Sequence, residues 1–255
     1  MKLIRYAIML GGLVILTFAF GFIFQIPFAT QIWPWPDGRY SYLFIGSILA
    51  AVSAAAIWIG WTGELGALPA GSLNIFVIAA TTGYYFFKLA FVGGRSDLLT
   101  FGIASTLLAL TSAGAFLWSR KIPLRASLPT PAFVKFSFGI FIIALILAGG
   151  ALVLGAQIFP WKLNPDSAVI FGCIFLGDAF YFLYGLLRPR WNNALGQLLS
   201  FLAYDLVLIV PFVGLFPSVK PQFMISLFIY TAVLIYSGAV AVYFLFIHPS
   251  TRFRF

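Results

Sequence analysis

Gln31-Ile32-Trp33-Pro34-Trp35 returns later in the chain as Gln157-Ile158-Phe159-Pro160-Trp161. The two stretches start 126 residues apart, close to half of the 255-residue length. The same offset aligns Gly46 with Gly172, so one ungapped register extends beyond the loop into the segment that follows it. A fixed period of this kind indicates an internal repeat. We therefore predict a tandem duplication.

The composition indicates the environment of the chain. Hydrophobic residues make up 62% of the sequence and charged residues 8%, with a mean hydropathy of +1.06. Soluble proteins carry about 25% charged residues. We therefore predict a polytopic membrane protein whose first partner is the lipid bilayer. The single cysteine, Cys173, cannot form an intramolecular disulfide, so no disulfide framework is expected.

Eight stretches are long enough to cross a bilayer, which takes roughly 20 apolar residues per helix. Because the last four start near the first four plus the offset, the repeating unit has four predicted helices. Four crossings return the chain to its starting side, so both repeats enter the membrane in the same sense. The predicted fold is an all-α membrane protein with eight transmembrane helices in two parallel tandem repeats, related by an axis near the membrane normal. The helices are predicted at residues 7–29, 41–61, 72–92, 98–118, 134–157, 168–187, 195–216 and 223–247, and the repeats at 1–125 and 126–255.

The orientation follows from the basic residues in the loops, which concentrate on the cytoplasmic side of membrane proteins. The side of the N-terminus carries Lys2, Arg5, Arg120, Lys121, Arg125, Lys135, Arg188, Arg190, Arg252 and Arg254. The other side carries Arg39, Arg95, Lys162 and Lys220. We predict a multi-pass protein of the inner or plasma membrane with both termini cytoplasmic.

The net charge of +9 also reflects the basic residues in the loops. The basic residues are dispersed over short loops, so they indicate topology and affinity for anionic headgroups, and nucleic-acid binding is not expected. The first apolar run, from Tyr6 to Phe24, is longer than the core of a signal peptide. We expect it to be retained as the first helix.

The repeated aromatic loop follows the first helix of each repeat. It comprises Trp33, Pro34 and Trp35 in the first repeat and Phe159, Pro160 and Trp161 in the second. Proline stops a helix, and tryptophan is favoured at the headgroup level. One interpretation is an interfacial anchor with a helix stop, and the other is that the two loops jointly form an outer vestibule or a docking surface.

This loop, followed by an apolar helix with an early glycine at Gly46 or Gly172, resembles a group of uncharacterised bacterial polytopic membrane proteins built from two four-helix repeats. The stretch from Pro189 to Leu198, continuing to Tyr204 and Asp205, is similar as well. The resemblance spans most of the chain. It implies this fold and no activity for any residue.

Two carboxylic acids lie deep in predicted helices. Asp178 and Asp205 are each about 15–17 Å from the outer end of their helix at ~1.5 Å rise per residue, near the middle of a ~30 Å core. A charge at that depth costs ~2.5–3.5 kcal/mol, so such residues are functional candidates. The alternatives are a structural acid hydrogen-bonded to Tyr181, Tyr204 or a backbone carbonyl, a proton- or cation-handling site, and ligand contact. We expect the two acids to lie at the same depth, where they would face one another across helices 6 and 7.

Several catalytic chemistries are disfavoured by the residue types. The chain has one histidine, His248, and it contains no Walker-type glycine loop, H-E-x-x-H or C-x-x-C motif. We therefore expect no metal site, no cofactor and no enzymatic activity. The preferred hypothesis is a non-catalytic subunit or scaffold of a membrane complex, with other membrane subunits or hydrophobic ligands as partners. The alternative is a small proton- or cation-coupled transporter that uses the acids of helices 6 and 7.

The basic-residue asymmetry generates the first testable prediction. Cysteines introduced as Asp37→Cys and Leu163→Cys should react with a membrane-impermeant maleimide added outside intact cells, whereas Arg125→Cys and Arg190→Cys should react only after permeabilisation. Labelling in the reverse pattern would reject the orientation.

Overall fold

The computed structural model describes residues 2–125 and 128–253. Arg254, one of the basic residues counted above, and the first residues of the predicted second repeat, Ala126 and Ser127, lie outside the described residues. Within those two ranges, eight helices are long and apolar enough to cross a membrane, as predicted. They are α1 Lys2–Ile23, α2 Arg39–Thr62, α3 Leu68–Phe91, α4 Leu99–Ser119, α5 Ala132–Val153, α6 Pro165–Leu187, α7 Trp191–Leu215 and α8 Met224–Val242.

Helices α1 and α5 end earlier than predicted. Helix α1 ends at Ile23 rather than at residue 29, because Gln25 adopts a left-handed φ of 53° and Pro27 starts a separate turn at Pro27–Thr30. Proline has no N–H with which to continue the helical ladder. Helix α5 ends at Val153 rather than at residue 157. Gly155, with a φ of +82°, supplies the left-handed residue that often follows a helix end.

The described helices form two compact units. Unit 1 comprises Met1–Glu64, Gln157–Asn164 and Ala194–Phe255, and therefore holds α1, α2, most of α7 and α8. Unit 2 comprises Leu65–Ala156 and Pro165–Asn193, and therefore holds α3, α4, α5 and α6. Each unit takes helices from both predicted repeats. Packing units and duplicated segments are different divisions of a chain, so the two repeats remain a prediction.

In unit 1, α1 and α2 approach closely because small residues face the partner helix. A Cβ added at Gly46 would lie 2.7 Å from Cγ1 of Ile23 and 3.0 Å from the carbonyl oxygen of Ala19. Ser53 donates a hydrogen bond of 2.8 Å to the carbonyl oxygen of Gly12. Small residues that let backbones approach are the usual basis of helix association in membranes.

Arg5 of α1 reaches the end of α2. Its guanidinium donates to the carbonyl oxygens of Trp61 at 2.7 Å and Gly60 at 3.3 Å. The last carbonyls of a helix have no partner within the helix, so these bonds satisfy them. Helix α2 ends at Thr62, and Gly63 follows it with a φ of 71°. Arg5 is thus both a basic residue of the N-terminal segment and a cap for the neighbouring helix.

In unit 2, α5 and α6 meet through two glycines. A Cβ added at Gly172 would lie 2.7 Å from the carbonyl oxygen of Gly149, and a Cβ added at Gly149 would lie 2.9 Å from the carbonyl oxygen of Gly172. Each glycine therefore contacts the backbone of the other helix. A backbone atom, unlike the end of a side chain, cannot move aside to make room for an added carbon. Gly177 similarly faces α3, since an added Cβ would lie 2.7 Å from Oδ1 of Asn74.

These contacts predict which glycines tolerate a methyl group. Gly46→Ala and Gly172→Ala should each lower the free energy of unfolding by about 1–3 kcal/mol, because the added carbon meets a backbone carbonyl that cannot yield. Gly139→Ala in α5 is the matched control, because nothing lies within 4 Å of an added Cβ. It should be neutral or stabilising, since alanine favours a helix over glycine by about 1 kcal/mol. Thermal unfolding in detergent measures all three, and an equal loss in the control would contradict this packing.

Topology labelling is also refined by the structure. Leu163 is 7% exposed, so a cysteine there would be shielded by its own unit. Lys162 is exposed and lies in the same loop, which makes it the better position for the outer label.

Candidate functional site

The two candidate acids belong to different compact units. Asp178 lies in α6 of unit 2, and Asp205 lies in α7 of unit 1. Each acid has a hydrogen-bond partner within its own unit.

Asp178 is joined to α3 by Asn74. The Nδ2 atom of Asn74 donates a hydrogen bond of 2.8 Å to Oδ1 of Asp178. Gly177 makes this approach possible, because any larger side chain beside Asp178 would collide with Asn74. The Oδ1 atom of Asn74 is buried and has no hydrogen-bond partner among the described residues. The pair thus leaves one buried acceptor without a donor.

The Asn74–Asp178 bond is part of a longer row of polar contacts. The Tyr85 hydroxyl donates a hydrogen bond of 2.7 Å to Oδ1 of Asp166. Thr81 and Cys173 lie near one another between these two bonds, and the Thr81 hydroxyl donates to carbonyl oxygens of its own helix. As α3 and α6 are antiparallel, the three pairs follow one another along the two helices. We call this row the α3–α6 polar seam; it comprises Asn74, Thr81 and Tyr85 of α3 and Asp166, Cys173 and Asp178 of α6.

Asp205 is joined to α8 by Ser237. Asp205 is 5% exposed, and its Oδ1 lies 3.0 Å from the Ser237 Oγ. Its Oδ2 is buried and has no hydrogen-bond partner among the described residues. Gly238 follows Ser237 and leaves room beside that oxygen, since an added Cβ would lie 3.4 Å from it.

The number of protons limits the bonds that Ser237 can make. Its Oγ also lies 2.8 Å from the carbonyl oxygen of Val233 and 3.3 Å from that of Leu234. A hydroxyl donates one proton, and the shortest contact is to Val233. When the proton goes to that carbonyl, the contact with Asp205 requires a proton from the carboxyl group itself. The Asp205–Ser237 bond can therefore form with either partner as the donor.

The two tyrosines named with the acids have other neighbours as well. The hydroxyl groups of Tyr204 and Tyr230 are hydrogen-bonded to each other. Tyr181 is 8% exposed, and its ring lies 5.6 Å from that of Phe182. The side-chain partners of the acids are Asn74 and Ser237, which the sequence interpretation did not single out. Asn74 carried a detectable signal, because an amide inside an apolar helix needs a partner as much as a carboxylate does. Ser237 carried none, because a serine can bond to its own helix.

The second aromatic loop packs into the core of unit 1. Phe159 is fully buried, with ring centroids 4.9 Å from Phe44 and 5.6 Å from Tyr230. The Trp161 Nε1 donates a hydrogen bond of 3.1 Å to the Ser41 Oγ. Phe159 is therefore a core residue of this unit, a role that the sequence interpretation did not give it. Pro160 lies between these two anchored aromatic residues.

The first aromatic loop is held by a local bond. The Trp33 Nε1 donates to Oδ2 of Asp37 at 2.7 Å, and the Trp33 and Trp35 rings meet edge to face with centroids 5.4 Å apart. Trp35 is 4% exposed. Pro34 separates the two tryptophans, so the loop is a compact aromatic turn and not an extended strand.

The chemistry of these sites is that of hydrogen bonding. Within residues 2–125 and 128–253, no three His, Cys, Asp or Glu side chains form a group that could hold a metal ion. The seam and the Asp205 site supply carboxyl, amide, hydroxyl and thiol groups between helices. Such groups join helices, and a buried acid among them can also hold or release a proton.

Comparisons with known proteins identified no relative of this chain. No family model, no curated protein sequence and no solved structure matches the chain. The resemblance drawn from the repeated aromatic loop stays a prediction.

The Asp205 site generates a prediction about stability. Ser237→Ala should lower the free energy of unfolding by about 1–3 kcal/mol, because it leaves both oxygens of a buried carboxyl group without a partner. Ser119→Ala in α4 is the matched control, since Ser119 is also fully buried and bonds only to its own helix, at the carbonyl oxygen of Ala115. Thermal unfolding in detergent compares the two variants, and equal effects would show that the contact with Asp205 contributes nothing.

Proposed function

We propose that this integral membrane protein is a non-catalytic subunit or scaffold of a membrane complex, oriented with both termini in the cytoplasm. The observation that carries the proposal is the way its buried acids are used. Asp178 bonds to Asn74 and Asp205 to Ser237, and each bond joins two helices of one compact unit. Polar bonds of this kind hold membrane helices together, with an average of about 0.6 kcal/mol and a maximum near 1.7 kcal/mol per pair.

The proposal also includes the predicted tandem architecture. Two four-helix repeats, residues 1–125 and 126–255, exchange helix pairs, so that each compact unit has the first two helices of one repeat and the last two of the other. Matched glycine contacts support this. Gly46 lies against Ile23 in unit 1, and Gly172 lies against Gly149 in unit 2. Both residues of the second contact follow those of the first by 126 positions.

A second matched contact involves other helices. Ser200 of α7 donates a hydrogen bond of 3.0 Å to the carbonyl oxygen of Ala51 in α2. Asn74 of α3 lies against Gly177 of α6. Residues 74 and 200 are related by the offset, and so are residues 51 and 177. The agreement of two independent contacts with one offset supports a duplicated origin, and with it the resemblance to proteins built from two such repeats.

A small proton- or cation-coupled transporter is the second candidate, and one observation favours it. The Oδ2 atom of Asp205 is buried without a hydrogen-bond partner among the described residues. A carboxyl oxygen that no neighbour uses is free to take up a proton or a cation. The corresponding position of the first repeat, Ala79, is apolar, so this chemistry would belong to the second repeat alone.

The two functions predict different results for the same variants. For a scaffold, Asp178→Asn and Asp205→Asn should keep the fold and any stoichiometric membrane partner, whereas the Leu variants should lose about 0.6–1.7 kcal/mol of stability through the missing interhelical bond. Thermal unfolding and native mass spectrometry of complexes extracted in polymer discs give both readouts. Asp97→Asn is the control, because Asp97 is exposed and its ion pair with Arg95 contributes little.

Reconstituted vesicles complete the comparison. The scaffold predicts no proton-dependent flux across membranes that hold the purified protein. An acid-dependent flux in the wild type that disappears in both Asn variants, together with a single monodisperse component in the discs, would replace the scaffold by the transporter.

A further inference from the structure

A basic cavity lies in unit 2 where the α4–α5 and α6–α7 loops meet. Its volume is about 730 Å³, within the range of about 300–1,000 Å³ that is typical of ligand pockets. We call it the basic basin. Its polar wall consists of Arg120, Lys121, Tyr184, Arg188, Arg190 and Asn193, and apolar and proline residues of the same loops complete it.

The walls of the basin are fixed by backbone contacts. The N–H of Thr130 donates to the carbonyl oxygen of Pro189 at 3.0 Å, and the N–H of Trp191 donates to that of Leu128 at 2.8 Å. The two loops are thus paired like a short antiparallel ladder. On the other side, Gly66 lies so close to the α4–α5 loop that an added Cβ would be 2.9 Å from the Pro123 carbonyl oxygen. The cavity is therefore bounded by backbone contacts on two sides.

The positive charge in the basin is uncompensated at three residues. Arg120, Lys121 and Arg188 are exposed, and no carboxylate among residues 2–125 and 128–253 pairs with them. The described residues that line the cavity include no aspartate or glutamate. Arg95 is different, because its guanidinium hydrogen-bonds to Asp97 and these bonds raise the pKa of the arginine.

Phe116 lies between Arg120 and Tyr184 in the wall of the basin. The Arg120 guanidinium lies 5.9 Å from the ring centroid of Phe116, and the Tyr184 ring lies 6.0 Å from the same ring, edge to face. Arg120 and Arg188 are both close enough to Tyr184 to act on it electrostatically. Two forked cations and a hydroxyl donor therefore lie around one space.

Topology alone explains the number of these cations but not their arrangement. The excess of basic residues on one side of a membrane protein requires only that they be in the loops. It does not require that two loops be tied together around one cavity that lacks acidic residues. Basic pockets between membrane helices near the cytoplasmic surface are a recognised way of holding anionic headgroups.

We propose that the basic basin binds a phosphate group. The carrier is an anionic lipid headgroup or a soluble phosphate compound, and both present the same chemistry to the basin. A guanidinium binds phosphate oxygens through two parallel N–H bonds, which Arg120 and Arg188 supply. Lys121 adds a point charge, and the Tyr184 hydroxyl adds a neutral donor. The proposal is independent of the role of the buried acids.

The test uses the full-length protein and two sources of phosphate. Protein in nanodiscs of phosphatidylcholine with added phosphatidylglycerol is released in a native mass spectrometer, and the retained phosphatidylglycerol is counted. Delipidated protein in detergent is titrated calorimetrically with inorganic phosphate and pyrophosphate. The Arg120→Gln/Arg188→Gln variant should lower retention or affinity by about tenfold or more, because it removes charge-assisted hydrogen bonds.

Matched variants separate the basin from general surface charge. Lys162→Gln/Lys220→Gln removes the same two charges from exposed positions in other loops and should bind like the wild type. Arg120→Lys/Arg188→Lys keeps the charge but loses the fork, so it should give an intermediate loss. Tyr184→Phe keeps the ring that packs on Phe116 and should give a smaller loss, a readout that remains if the double variant fails to fold.

Each outcome decides the proposal. Retention of phosphatidylglycerol without binding of soluble phosphate identifies a lipid headgroup, and binding of phosphate or pyrophosphate in detergent identifies a soluble ligand. Equal binding by the wild type and the Arg120→Gln/Arg188→Gln variant in both assays would overturn the proposal, as would an equal loss in the Lys162→Gln/Lys220→Gln control.

Discussion

A backbone in the hydrocarbon core of a membrane has to satisfy its own N–H and C=O groups. The eight long helices meet this requirement internally, and the chain leaves helical geometry where other groups can replace the ladder. At the end of α2, Arg5 supplies donors to the last carbonyls. After α5, Gly155 takes the left-handed conformation that turns the chain. Close packing depends on the same constraint, because helices without exposed backbone groups can approach through glycines such as Gly149 and Gly172.

Polar side chains within the helices also need hydrogen-bond partners. A polar group in an apolar medium without a partner is costly, so each buried acid requires a donor from a neighbouring helix. Asn74 donates to Asp178 and Ser237 is hydrogen-bonded to Asp205, and the Tyr85–Asp166 bond of the α3–α6 polar seam repeats the arrangement between two helices. Where a bond is missing, as at Oδ2 of Asp205, the structure retains an unused capacity to bind. In the structural interpretation Oδ2 of Asp205 has no role, whereas in the functional interpretation it binds a proton or a cation.

Periodicity and composition predicted the number and type of the long helices because apolar length is a property of the sequence alone. Helix ends were less predictable, since Gln25 adopts a left-handed conformation that its residue type does not require. The hydrogen-bond partners of the acids depend on which helices pack against each other. The repeat offset of 126 residues does not determine that packing. The burial of Phe159 was missed for the same reason, because tertiary packing places an aromatic residue either at a headgroup or in a core. The basic basin needed the folded loops, whose cations the sequence could count but not bring together.

The distribution of the helices of unit 1 along the chain has a consequence for the biosynthesis of the protein. Its helices come from the two ends of the chain, and the bond from Ser200 to Ala51 spans 149 positions. Unit 2 is nearly continuous, so all of its segments have been synthesised once residue 193 has been added. Helices α1 and α2 are synthesised first, but the unit to which they belong is complete only when α7 and α8 have been synthesised as well. The order of synthesis is therefore the reverse of the order of completion.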